Sequence, residues 1–135
     1  DAAIERGAYV LRDPDRPDAI LVASGSEVHL CLRAATLLER DGIRARVVSM
    51  PCLERFEEQD AAYRDRVLPP AVRARVCVEA LSPLGWHRHA GDAGEVIGMT
   101  TFGASAPAED LLRHFGFTPE CVAETARAVV ARTEV

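Results

Sequence analysis

Lysine is missing altogether from this 135-residue chain; all 16 of its basic residues are arginine. That removes Schiff-base chemistry and a P-loop lysine from what the chain offers. Cysteine is sparse, and Cys31, Cys52, Cys77 and Cys121 lie too far apart to form a C-x-x-C pair. Each sits in an apolar stretch, which reads as buried, reduced thiols rather than a disulfide framework or a metal knot. No apolar run approaches the ~20 residues of a membrane span, and no stretch has the pattern of a signal peptide. Excess positive charge is lacking too. The net charge of −5 argues against a nucleic-acid or membrane-surface binder, which would carry a basic face. There is no G-x-G-x-x-G, no internal repeat and no low-complexity segment.

What is present is a globular composition, 48% apolar and 27% charged, at a length that suits one domain. A chain of this size buries roughly 65–70% of its unfolded surface, enough for a core without staples. It begins Asp-Ala-Ala rather than with methionine, as expected of a piece of something larger.

Strand and helix signals alternate. Residues 7–11, "GAYVL", read as a short strand closed by the turn-forming "RDPDRPD". Ala19 to Ala23 is a continuous apolar run, the pattern of a strand buried on both faces. A helix follows from about Gly25 to Asp41, with Val28, Cys31, Leu32, Ala35 and Leu38 at helical spacing and Gly42 as the stop. Arg46 to Met50 is a strand ended by Pro51, residues 53–67 read as one or two short charged helices, and Ala74 to Ala80 and Glu95 to Met99 are further strands. Pro107 to His114 reads as a short helix. Thr118-Pro119-Glu120 opens a last one, with threonine as cap, proline at the first position and glutamate facing the positive end of the dipole. The pattern predicts an α/β fold: one three-layer domain over 1–135, with a mostly parallel five-stranded sheet and helices on both faces.

Three local motifs invite chemistry. "ASGSE" at 23–27 stands between a buried strand and a helix, where α/β proteins often hold phosphate. Ser24, Gly25 and Ser26 are therefore candidate anion-binding residues. The rival reading is a capping box, in which the Ser24 hydroxyl and the Glu27 carboxylate satisfy first-turn amides, with Ser26 as an alternative cap. His87 and His89 would share a metal on a strand but diverge on a helix; they read as a solvated or hydrogen-bonded pair. Glu54, Glu57, Glu58 and Asp60 read as a solvated face, without the spacing of a calcium loop. "FGASAP" at 102–107 and the loop around Trp86 suggest a packing or assembly surface. No nucleophile with its base is declared, so no catalytic and no metal-ligating residue is assigned.

Several stretches together resemble one family. "RGAYVL" at 6–11, "ASGSEV" at 23–28 and "ARVVSMPCLERFEEQDAAYRDRVLP" at 45–69 are similar to the C-terminal domain of transketolase. So are "RVCVEALSPLGWHRHAG" at 75–91 and "GMTTFGASAPAEDLLRHFGFTPE" at 98–120, in the same order along the chain. The resemblance implies a cytoplasmic, normally homodimeric enzyme of the pentose phosphate pathway that moves a two-carbon ketol unit from a ketose phosphate to an aldose phosphate. It implies thiamine diphosphate with Mg²⁺ or Ca²⁺ in the full-length enzyme, the diphosphate and metal held by an N-terminal domain and the activating glutamate supplied by a middle domain, neither of which this chain is long enough to contain. The family's G-D-G…N metal pattern is absent here. The resemblance therefore implies no cofactor in this domain, no catalytic residue on it, and no activity of the fragment alone. A regulatory anion- or nucleotide-binding module, or a purely dimer-stabilising domain, are the alternatives.

Overall fold

The structure, a computed structural model, describes residues 5–25, 27–79, 87–91, 93–98 and 118–133. Along the chain these form β1 (Tyr9–Arg12), β2 (Ala19–Ala23), α1 (Glu27–Arg40), β3 (Ala45–Ser49), α2 (Leu53–Glu57) and α3 (Ala61–Val67). Then come β4 (Arg75–Glu79), α4 (His87–Ala90), β5 (Glu95–Gly98) and α5 (Pro119–Thr133). The expected helix over 107–114, the Trp86 loop and "FGASAP" fall outside the described residues.

Five strands form one sheet in the order β1-β3-β2-β4-β5. β2, β3, β4 and β5 run parallel, while β1 adds antiparallel to the outside of β3, with a register shift between Val10 and Arg12. Parallel neighbours need crossover connections, and the helices supply them. β2 is buried at every position. Its odd and even residues serve different cores, as strand alternation demands.

Leu21, Val47, Val76 and Val78 point to a core closed by α1 through Cys31, Ala34, Ala35 and Leu38, and by α5 through Val122, Ala123, Ala126 and Val129. Ile20, Val22, Val48 and Cys77 face the other way, onto Met50, Phe56 of α2, Val67 of α3 and Ala90 of α4. Phe56 is the largest fully buried side chain there. Small residues on α1 and α5 let those helices lie close on the sheet.

The caps explain the helix ends. Thr118 accepts the Cys121 amide on its Oγ1 at 3.1 Å, the cap expected from the sequence. Residues 53–67 break into two helices because Asp60 starts the second one, its Oδ1 accepting the Tyr63 amide at 2.9 Å. Gly7 ties the N-terminal segment down. At φ +91 it lies so close to α2 that a Cβ would overlap the Cys52 carbonyl and the Phe56 amide nitrogen. No helix among the described residues is long and apolar enough to cross a membrane.

Candidate functional site at the carboxyl end of the sheet

β2 and β4 are neighbours, yet the chain reaches β4 only after a detour through β3 on the far side of β2. The place beyond the carboxyl ends of strands at such a reversal is where open α/β sheets commonly bind ligands. Ser24 follows β2 directly at this place, and Gly25 takes φ +58, a left-handed conformation that glycine adopts at little cost. The Glu27 amide donates to the Ser24 carbonyl and the Val28 amide to the Gly25 carbonyl, both at 3.3 Å, which turns the chain into α1. Ser26 lies outside the described residues.

The capping-box expectation needs correction. The Ser24 hydroxyl is drawn away from the first turn and donates to Glu79 Oε2 at 2.7 Å. Glu79 ends β4 and is only 9% exposed. A carboxylate this deep is costly unless donors meet it, and Ser24 is one of the groups that do. The pairing joins residues 55 positions apart, which local pattern does not reveal. The only sequence signal was a lone acidic residue at the end of the apolar strand "RVCVE". Chemically, this places a carboxyl group, already engaged by Ser24, beside the loop.

The histidines do not act as a pair. His87 and His89 fall two positions apart on α4, where side-chain directions diverge; the His87 side chain lies outside the described residues. His89 is buried, with its Nε2 3.3 Å from Glu57 Oε1 and its ring edge-on to Phe56 at 5.6 Å between centroids. Glu57 therefore leaves the solvated face assigned to it, drawn inward by a buried partner, while Glu54, Glu58 and Asp60 remain exposed.

The thiols also divide. Cys31 and Cys77 are wholly buried, and Cys52 and Cys121 are partly exposed, so the expectation of four buried cysteines holds for two. Cys52 sits in the turn after Pro51 and Cys121 on the outer flank of α5, where neither packs into a core. Burial pushes the Cys77 thiol up to about 12, against a smaller opposing pull from the Arg75 charge. Cys31 is pushed up further by burial, then by Cys77 and Glu27. Neither is a nucleophile near neutral pH. Among the described residues, no three His, Cys, Asp or Glu side chains converge as metal ligands. These residues therefore do not offer the donor set that a diphosphate-bound Mg²⁺ or Ca²⁺ takes.

Comparison with known proteins gives the site its context. Residues 7–118 match the family model described as the transketolase-like TK C-terminal domain. The chain is 54% identical over 129 residues to a chromosomal transketolase of Cupriavidus necator, covering 96% of this chain and 19% of the relative. It is 50% identical over 131 residues to transketolase 2 of Vibrio vulnificus, covering 96% of this chain and 20% of the relative. Among solved structures, transketolase from Leishmania mexicana superposes with a TM-score of 0.89 at 43% identity, over 97% of this chain and 19% of that one. A protein described as a split-gene transketolase, inactive beta4 tetramer, superposes with a TM-score of 0.72 at 25% identity, over 94% of this chain and 43% of that one. The chain spans about a fifth of the length of the curated relatives it matches. It belongs to the transketolase-like C-terminal domain family.

Proposed function

Taking that membership as premise, we propose that residues 1–135 are the C-terminal lobe of a transketolase, and that the lobe serves the reaction by packing rather than by chemistry. The whole enzyme would transfer a two-carbon ketol unit between sugar phosphates, as a cytoplasmic homodimer of the pentose phosphate pathway. Thiamine diphosphate supplies the carbanion chemistry there, with Mg²⁺ or Ca²⁺ as its partner, on domains other than this one. The observation that carries the reading is the lopsided coverage: nearly all of this chain aligns with about a fifth of each relative. The lobe's own residues fit a supporting role. Ser24 and Glu79 satisfy each other, and the buried thiols are inert.

The test is a ketol-transfer assay with thiamine diphosphate and Mg²⁺. The 135-residue chain alone should give no turnover, and the same chain joined to the cofactor-binding region that its gene should encode upstream should give full turnover. Appreciable turnover by the chain alone would refute the reading. The solved tetramer described as inactive, which contains a region like this one, is consistent with the first half of that expectation. The alternative role of Ser24, Gly25 and Ser26 as an anion site finds no favouring observation, since the loop's hydroxyl at Ser24 is spent on a carboxylate.

A further inference from the structure

Two strands of the sheet open with the same three residues. Arg44-Ala45-Arg46 leads β3, and Arg73-Ala74-Arg75 leads β4. In both, the alanine is buried in the α1/α5 core and the second arginine turns to the opposite face. Arg46 donates through Nη1 to the carbonyls of Arg66 and Val67, at the end of α3. Arg75 donates to Leu68 and Pro69 just beyond it through Nη2, to Val72 through Nε and to His89 through Nη1.

Their charges are treated differently. At β3 both guanidiniums are neutralised, Arg44 by Asp18 at 3.5 Å and Arg46 by Asp13 at 2.8 Å. At β4 neither has a carboxylate within ion-pair distance among the described residues, although Asp65 acts on Arg75 from further off. Arg73 is exposed and makes no hydrogen bond or ion pair with a described residue. Arg75 is half-buried and held by four carbonyls, with one of its five N–H groups, on Nη1, left over. Burial pulls its pKa down, against smaller opposing pulls from Cys77 and the Asp65 carboxylate.

These two arginines line an open cavity of about 200 Å³, with Pro70, Ala90, Gly91 and Ala93 as its other described walls. It has room for roughly six waters at liquid density. A neighbouring cavity shares Pro70 and Arg75 and adds Arg64, also without an ion pair, together with Asp65 and His89. Among the described residues, Asp65 is the acidic residue lining either cavity; it acts on Arg75 without coming within ion-pair distance. In a chain of net charge −5, where Arg12, Arg127 and Arg132 also find carboxylates, this convergence of arginines without a close carboxylate among the described residues stands apart.

We propose that the cavity between Arg73 and Arg75, at the amino end of β4, binds a small tetrahedral oxyanion, a phosphate or phosphate monoester group. Arg73 supplies a movable guanidinium from the rim and Arg75 supplies a fixed one from the floor, with its spare N–H as donor. The site lies at the opposite end of the sheet from Ser24 and Glu79, and it does not depend on the supporting role proposed for the lobe.

Inorganic phosphate, with acetate and chloride as comparison ions, is titrated calorimetrically into the protein at fixed ionic strength. Saturable phosphate binding is expected, weakened about tenfold or more by Arg73→Gln and unchanged by Arg33→Gln, which alters an exposed arginine on α1. Arg73 has no partner among the described residues to lose, so its variant should melt at the wild-type temperature. Absence of saturable phosphate binding overturns the proposal. So does equal binding by Arg73→Gln, equal affinity for acetate, or a loss produced by Ser24→Ala instead.

Discussion

The two ends of the sheet treat charge in opposite ways. At the carboxyl end, beyond the reversal of strand order, Ser24 and Glu79 close on each other. At the amino end of β4, Arg75 grips backbone carbonyls with no carboxylate at ion-pair distance among the described residues. Carbonyl oxygens complete hydrogen bonds but cancel no formal charge, so a guanidinium held by them is structurally satisfied and electrostatically open. A helix end of free carbonyls, as at α3, attracts such a group. The lesson is that the residues best placed for a ligand by fold need not be those with unspent capacity.

The contrast breaks most visibly at Arg75. Arg75→Met removes donors from four carbonyls at once, and a loss of about 3 kcal/mol is expected in chemical denaturation. Destabilisation below about 1 kcal/mol would mean that water replaces the guanidinium and that the amino end is not organised around it.

Between the two ends lies a dry middle, which pH can probe. Cys31 and Cys77 hold their protons in the folded state well above the ordinary thiol value of 9.0. Unfolded chains lose them first, so stability should be flat below about pH 9 and fall above it. The slope is about 1.4 kcal/mol per pH unit for each thiol. Melts at pH 8 and pH 10 check this, and Cys77→Ala should remove its share of the slope. Consistently, a thiol reagent should label Cys52 and Cys121 in the native protein and the other two only after unfolding.

At the carboxyl end, Ser24→Ala takes a donor from a buried carboxylate and should cost about 1–2 kcal/mol. A loss below about 0.5 kcal/mol would show that the hydroxyl does little for the carboxylate. The smallest effect is expected at Arg44, whose contact with Asp18 is exposed on both sides. Arg44→Ala should change stability by less than about 1 kcal/mol. A larger loss would mean that the β3 pair does more than neutralise.

Much of the fold was legible because its signals are local. The unbroken run 19–23 announced a strand covered on both faces, the spacing of Cys31, Ala35 and Leu38 a helix, and Thr118-Pro119 the start of α5. Strand ends shifted by a residue or two, as at β1, where Leu11 is exposed and Arg12 still pairs. The site was less legible because its decisive contacts are distant in sequence. Glu79 outbid the helix for the Ser24 hydroxyl, and Glu57 was claimed by His89 from 32 residues away. Whether an arginine is neutralised is likewise invisible locally, as the two identical Arg-Ala-Arg openings demonstrate. Family resemblance supplied what local pattern lacked, because it rests on long ordered stretches rather than on any one motif.

The single antiparallel strand has a dynamic consequence. β1 touches the sheet through β3 alone, with its ladder interrupted and one large side chain in water. Its amides should therefore trade hydrogen for deuterium through small openings that leave the four parallel strands shut. Gly7, wedged against α2, would stay anchored while that flap opens, so the molecule should loosen from this margin inward rather than all at once.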